Sequence, residues 1–194
     1  MNILVVLAYP KKEGFNRAIA KQVLESVRKD TMNSLTFVDL YADRFDPVLS
    51  EDEISRKFSF DETTLRYQQF IKDADRVVFI HPDWWGGPPA ILKGFLDRVF
   101  RPGVAYGFRE ADFRNADTPG LFSDKRFDVF ITTDAPKPPS DSEVSTWAPA
   151  RVWKEQVLEF CGVKAVHIQV FWNLRNSSYA ERKAYLDSIP SRMV

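Results

Sequence analysis

The sequence predicts a doubly wound α/β fold: a five-stranded parallel sheet in the order 2-1-3-4-5, with helices on both faces. Three observations carry this prediction. Strand-like and helix-like segments alternate along the whole chain. The runs from Ile3 to Ala8 and from Val77 to Ile80 are continuously apolar, as in strands covered on both faces. Two other segments alternate polar with apolar residues, which marks strands at the edges of a sheet. Continuous runs at strands one and three, with alternating ones at two and five, give that order.

Taken in order, strand one leads through Tyr9–Asn16 into a helix whose Phe15, Ile19, Val23 and Val27 recur at four-residue spacing, with Asn16 read as its cap. Leu35 and Phe37 interleave with Ser34 and Thr36 in strand two. A second helix runs from Leu65 to Ala74 and leads into strand three. Ile91, Phe95 and Val99 define a third helix, and Lys93, Asp97 and Arg101 pair at i,i+4 on its outer face. Arg126 to Thr133 is the fourth strand. A further helix covers Val152 to Phe160 and is stopped by Gly162. Val166, Ile168 and Val170, interleaved with His167 and Gln169, make the fifth strand. The last helix spans Ser178 to Ile189, ended by Pro190. Two irregular stretches stand out: Val104 to Asn115, a hairpin or an excursion beyond the sheet, and the proline-rich Ala135 to Ser145, long enough to suggest function.

Composition bounds the rest. A chain of 194 residues that is 44% hydrophobic, with 16 Phe and 5 Trp, supports one compact domain over 1–194 with a large core. Its 27 basic and 27 acidic side chains cancel, so no field exists to grip a polyphosphate backbone, and nucleic acid is not an expected partner. One cysteine, Cys161, cannot form an internal disulfide; it is read as a buried spectator thiol in a reducing compartment. No apolar stretch has the length of a membrane span, and the first apolar run is too short for a signal segment. The expectation is a soluble, cytoplasmic protein without membrane insertion.

In a sheet of this order ligands bind beyond the carboxyl ends of the strands, where strands one and three diverge. Three loops meet there. The first, Tyr9–Asn16, enters a helix, so its amides and the helix dipole favour a phosphate, with Gly14 allowing close approach and Lys11 and Lys12 adding charge. The second is the most informative. Trp84 and Trp85 followed by Gly86-Gly87-Pro88-Pro89 put two indoles on a rigid turn with uncovered amides, a surface suited to the polar edge of a flat ring. The other reading of these indoles is packing at an interface. The third, Thr132-Thr133-Asp134-Ala135, faces the same place. Asp134 is read as capping the following turn, or as accepting from a ring N–H.

From Pro82 to Phe100 the sequence resembles the flavodoxin-like NAD(P)H:quinone oxidoreductases, the DT-diaphorase relatives with short bacterial members. Pro82, Trp85, Gly87, Pro89, Ala90, Ile91, Leu92, Lys93 and Gly94 stand at the positions of that family's central motif, which continues through Asp97-Arg98-Val99-Phe100 to Ala105-Tyr106. Phe15-Asn16, Asp39-Leu40-Tyr41 and Glu159-Phe160-Cys161-Gly162 match in order outside it. The resemblance implies a bound flavin, FMN with FAD as the alternative, and NADPH or NADH as reductant. It also implies ping-pong two-electron transfer to a quinone or similar aromatic acceptor, and a homodimer with shared active sites. By position it makes Phe15, Asn16, Pro82, Asp83, Trp84 and Trp85 cofactor-binding residues, and Tyr106 and Phe108 residues of the acceptor pocket. The reading of the three loops adds Tyr9, Gly14, Gly86, Thr132, Thr133 and Asp134 to the cofactor site.

The sequence departs from the family in three respects. Tyr9 and Gly14 replace its His and Ser, and Asp134-Ala135 replaces Gly-Gly after the paired threonines. The Tyr and His that buffer charge at the pyrimidine edge have no counterpart. Of the two histidines, His81 ends strand three beside the site and is read as structural; no acid–base catalyst is named and no metal is expected. Two other classes stay open: an electron carrier, which charge neutrality disfavours, and an ancillary subunit of a membrane transporter.

Overall fold

The computed structural model describes residues 1–107, 119–140 and 146–193. Five strands, β1 (Asn2–Leu7), β2 (Ser34–Asp39), β3 (Arg76–Pro82), β4 (Arg126–Thr132) and β5 (Ala165–Phe171), form one parallel sheet in the order β2-β1-β3-β4-β5. The helices are α1 (Phe15–Arg28), α2 (Glu51–Arg56), α3 (Glu62–Asp73), α4 (Ala90–Val99), α5 (Ala148–Arg151) and α6 (Tyr179–Asp187).

Alternation along β1 divides the core in two. Ile3, Val5 and Leu7 pack with Ile19, Ala20, Val23 and Val27 of α1, and with Tyr185 and Leu186 of α6. Leu4, Val6 and Ala8 face the other way, against Tyr67 and Ile71 of α3, Leu92, Phe95 and Val99 of α4, and Trp153. Burial on both faces is why β1 and β3 read as unbroken apolar runs, while Phe37 on β2 stays exposed. Among the described residues, no helix is long and apolar enough to cross a membrane.

Several local expectations change. Asn16 does not cap α1; the N-cap is Gly14, no side chain caps the helix, and Asn16 is buried in its first turn. Lys93 pairs with Asp97, but Arg101 lies beyond α4 and donates to the Glu53 carbonyl instead. The helix expected over Val152 to Phe160 begins earlier, at Ala148, and is wound as a π-helix over Val152–Leu158; Gly162, at φ 84°, ends it as foreseen. The α6 helix stops at Asp187, and Pro190 opens a 3-10 turn. Helix α2 was not anticipated, although Ser50 and Glu53 form a capping box visible in the sequence. Glu53 also receives the buried guanidinium of Arg98 at 3.0 Å, which ties α2 to α4. Of the excursion beginning at Val104, Tyr106 pairs with Gly120; Phe108, Phe113 and the remainder to Asn115 lie outside the described residues.

At the amino ends of β3 and β4 sits a buried ionic network. Arg76, 2% exposed, donates to the Asp128 carboxylate at 2.7 Å and to the carbonyls of Arg192 and Met193 at 2.7 and 2.9 Å, so the C-terminal turn is held to the sheet. Burial works against the charge of Asp128, but His167, Arg76 and Arg126 outweigh it and hold its pKa below the usual carboxylate range.

Candidate functional site

The carboxyl ends of the strands open into a cleft of about 520 Å³ lined by Tyr9, Asn16, Pro82, Asp83, Trp84, Trp85, Gly86, Thr132, Thr133, Asp134, Ala135, Leu174 and Arg175. Ten of the fourteen residues singled out in the sequence lie here.

The first loop is braced from behind. Arg17, paired with Asp39, donates to the carbonyls of Tyr9 at 3.2 Å and Lys11 at 2.9 Å. The Tyr9 ring lies over Gly14, where a Cβ would come within 2.7 Å of the hydroxyl. With Gly14 as an uncapped N-cap at φ 133°, the first-turn amides of α1 lack a side-chain partner, and anion affinity follows from their dipoles. Phe15 contributes backbone only; its ring packs edge-on against Phe171 and Tyr185. Asn16 turns inward and donates to Thr132 Oγ1 at 2.9 Å, while its Oδ1 is buried and unpartnered.

The second loop is a two-residue turn closed by Trp84 N–H to Gly87 carbonyl at 2.8 Å, with Gly87 N–H returning to the Trp84 carbonyl at 3.3 Å. Its central residues both have positive φ, 58° at Trp85 and 78° at Gly86, the signature of a type I′ turn. Glycine adopts this backbone freely. Tryptophan does not, and a bulky residue there stores on the order of 1–3 kcal/mol. The strain is not repaid by burial, because Trp85 is 105% exposed and Trp84 44%. Strained backbone carrying a fully solvated indole is costly to the isolated chain, so the arrangement points to a ligand.

Asp83 anchors the turn to the third loop. Its N–H donates to the Thr132 carbonyl at 2.7 Å, and Thr133 Oγ1 donates to its Oδ2 at 3.2 Å. Burial raises its pKa, opposed by Thr133 and by the amides of Gly86 and Gly87. The Gly86 and Gly87 amides face the carboxylate, Gly87 N–H being committed to the Trp84 carbonyl, and Asp83 Oδ1 makes no hydrogen bond, like Asn16 Oδ1.

His81, just below, is structural, as expected. Trp153 Nε1 donates to His81 Nε2 at 2.9 Å, which leaves the proton on Nδ1 facing the Pro82 carbonyl at 2.8 Å. Complete burial depresses its pKa to about 4, so the imidazole is neutral near pH 7 and unsuited to proton transfer there. Cys161 is likewise buried, and burial pushes its thiol up to about 12.

Asp134 differs from its expected role. It caps the turn after β5 rather than its own, accepting from Arg175 N–H at 2.9 Å and pairing with the Arg175 guanidinium at 3.3 Å. Leu174 and Arg175 were missed because they reach the cleft only through the pairing of β4 with β5. Tyr106 is not among the lining residues; its ring packs edge-on against Phe160. Phe108 lies outside the described residues. Among the described residues, no group of three His, Cys, Asp or Glu side chains is placed to hold a metal.

Residues 1–191 match the family described as having a flavodoxin-like fold. The chain belongs to this family. A Haemophilus influenzae protein named an uncharacterized NAD(P)H oxidoreductase is 30% identical over 96% of this chain and 91% of its own length. NAD(P)H dehydrogenase (quinone) 1 of Cavia porcellus is 27% identical over 88% of this chain and 68% of its own. A crystal structure from Streptococcus mutans superposes with a TM-score of 0.85 at 30% identity, covering 100% of this chain and 98% of that one. Within the flavodoxin-like family the chain therefore sits beside the NAD(P)H:quinone oxidoreductases.

Proposed function

We propose that the protein is a flavin-dependent NAD(P)H oxidoreductase that reduces quinones or similar aromatic acceptors. The observation that carries this reading is the strained, exposed Trp84–Trp85 turn facing a cleft with two orphaned buried oxygens, Asn16 Oδ1 and Asp83 Oδ1. A ligand that satisfies the cleft needs a flat apolar ring for the indoles, hydrogen-bond donors for those oxygens, and an anionic group for the uncapped start of α1. A flavin mononucleotide has all three.

The uncapped amides after Gly14 would hold the phosphate, with Lys11 and Lys12 adding charge, and Asn16 and Thr132 would bond the hydroxylated chain. Pro82, Asp83, Gly86, the two indoles, Thr133 and Asp134 would hold the ring. When bound, a flavin accepts hydride from a nicotinamide and passes two electrons to an acceptor, so both half-reactions share the cleft in ping-pong order. The residues supply orientation: the I′ turn fixes amides and indoles in advance, and the Asp83–Thr133 bond keeps the second and third loops in register. The compactness of the first loop, folded onto Arg17 and Tyr9, favours FMN over FAD. The uncovered Trp85 supports a homodimer in which a second copy helps to enclose the site, and the lack of a membrane-length helix among the described residues supports a soluble, cytoplasmic protein acting on small molecules.

Purified protein reconstituted with FMN or FAD provides the test, followed by mass identification of the retained flavin. Steady-state NADPH and NADH oxidation is then measured with a benzoquinone. Retained flavin with turnover is the expected result. A protein that stays colourless overturns the flavin reading, and flavin without turnover overturns the enzyme reading in favour of an electron carrier.

A further inference from the structure

Among the described residues lining the cleft, Arg175 carries the one positive charge. Its place is set from several sides. Asn173 N–H donates to the Ala135 carbonyl at 2.9 Å, Leu174 N–H to the Thr133 carbonyl at 3.0 Å, and Arg175 N–H to Asp134 Oδ1 at 2.9 Å. Asn173 takes a left-handed backbone, φ 51°, to turn the chain into this position. The backbone of Arg175 is thus fixed against the third loop, while its side chain is 80% exposed and makes one ionic contact, Nη2 to Asp134 Oδ2 at 3.3 Å.

An exposed ion pair of this kind adds little stability. A guanidinium with one nitrogen engaged still presents donors in a planar fork that matches a carboxylate or sulfonate. The same cleft presents the exposed indoles of Trp84 and Trp85, which suit an aromatic body. Aromatic plates and a guanidinium on one cleft, with Asp83 and Asp134 as its carboxylates, describe a site for an aromatic molecule that carries an acidic substituent.

We propose that Arg175 is a specificity-determining residue that selects aromatic acceptors bearing a carboxylate or sulfonate group, and that Asp134 positions it and tempers its charge. This rests on the oxidoreductase reading above. Asp134 stands where the family resemblance has glycine, so the device belongs to this chain.

The test compares 1,4-naphthoquinone with its 2-sulfonate, in the wild-type holoprotein and in the Arg175→Gln and Asp134→Asn variants. For Arg175→Gln the ratio of kcat/KM for the sulfonate to that for the parent quinone should fall about tenfold, the loss of one charge-assisted contact. For Asp134→Asn, which still accepts the Arg175 N–H, the ratio should rise. Binding of the non-reducible naphthalene-2-sulfonate to the oxidised holoprotein, read from the flavin absorbance, should weaken about tenfold in Arg175→Gln. Unchanged ratios and affinities overturn the proposal, as does a defect confined to the reductive half-reaction with NADPH, which would assign Arg175 to the nucleotide phosphate. If neither quinone turns over while naphthalene-2-sulfonate still discriminates the variants, the oxidoreductase reading fails and the assignment of Arg175 to an anionic aromatic ligand stands.

Discussion

The two ends of the same strands treat polar groups in opposite ways. At the amino ends of β3 and β4, Arg76 and Asp128 are almost wholly buried and bonded to each other, and Arg76 also holds the C-terminal carbonyls. At the carboxyl ends, Asn16 Oδ1 and Asp83 Oδ1 are buried without partners, Trp85 is in strained backbone, and its indole is in water. Asp128 Oδ1 and His167 Nδ1 also lack hydrogen bonds, but they lie 3.4 Å apart and Arg126 Nη2 stands 3.5 Å from the carboxylate. The amino end thus balances its charge within the chain, and the carboxyl end leaves it open. Buried polar groups are costly unless paired. The unresolved end is therefore where a ligand completes the structure, and the resolved end is where stability resides.

The largest expected effect breaks the resolved end. Asp128→Ala leaves the Arg76 guanidinium buried without its counter-charge and should cost about 3–5 kcal/mol in urea unfolding. The flavin affinity of the folded fraction should hardly move, because the cleft is at the other end. A matching loss of affinity would show that the two ends are not independent.

Acid titration tests the boundary between the ends. His81 takes up a proton at about 6.5 when unfolded but only at about 4 when folded, so acid favours the unfolded state. Stability is full above pH 6.5 and should fall by about 3 kcal/mol as the pH drops from 6.5 to 4. Asp128, whose folded pKa is lowered, adds a further loss below the usual carboxylate pKa, as its charge is neutralised. A stability curve flat between pH 6.5 and 4 would contradict the buried, neutral imidazole.

The smallest effect sharpens the contrast at the open end. Trp85→Gly relieves the left-handed strain, loses no buried indole, and should raise stability by about 1 kcal/mol after the added chain entropy. The same change should weaken flavin binding. Stability and affinity moving in opposite directions would mark the turn as built for a ligand; a loss of both would mean that Trp85 serves the fold.

The sheet was legible because its signals are local: continuous runs at Ile3–Ala8 and Val77–Ile80, alternation at β2 and β5, and Gly162 as a helix stop. The turn was legible too, since Trp-Trp-Gly-Gly-Pro-Pro has few bland readings, but the left-handed backbone at Trp85 was not. Arg17, Trp153, Leu174 and Arg175 were not. Arg17 braces the first loop through carbonyls, Trp153 meets His81 from a π-wound segment, and Arg175 depends on the pairing of β4 with β5. Each acts across the chain, where single-sequence periodicity carries no signal. Asn16 was misread for the reverse reason: a residue type common at caps lies two positions past the N-cap, where Thr132 takes its amide. The capping box at Ser50 and Glu53 was readable but overlooked.

The distribution of tryptophans has an optical consequence. Trp153 and Trp172 are buried, and Trp147 packs edge-on to Trp172 at 4.8 Å, so these three indoles emit from apolar surroundings. Trp84 and Trp85 emit from water at the cleft. Fluorescence from the two sets differs in wavelength, and a colourless aromatic ligand that covers the turn should blue-shift the emission of the set it desolvates, Trp84 and Trp85. The chain thus carries an internal reference and a reporter, and the occupancy of its cleft can be read by light without a label.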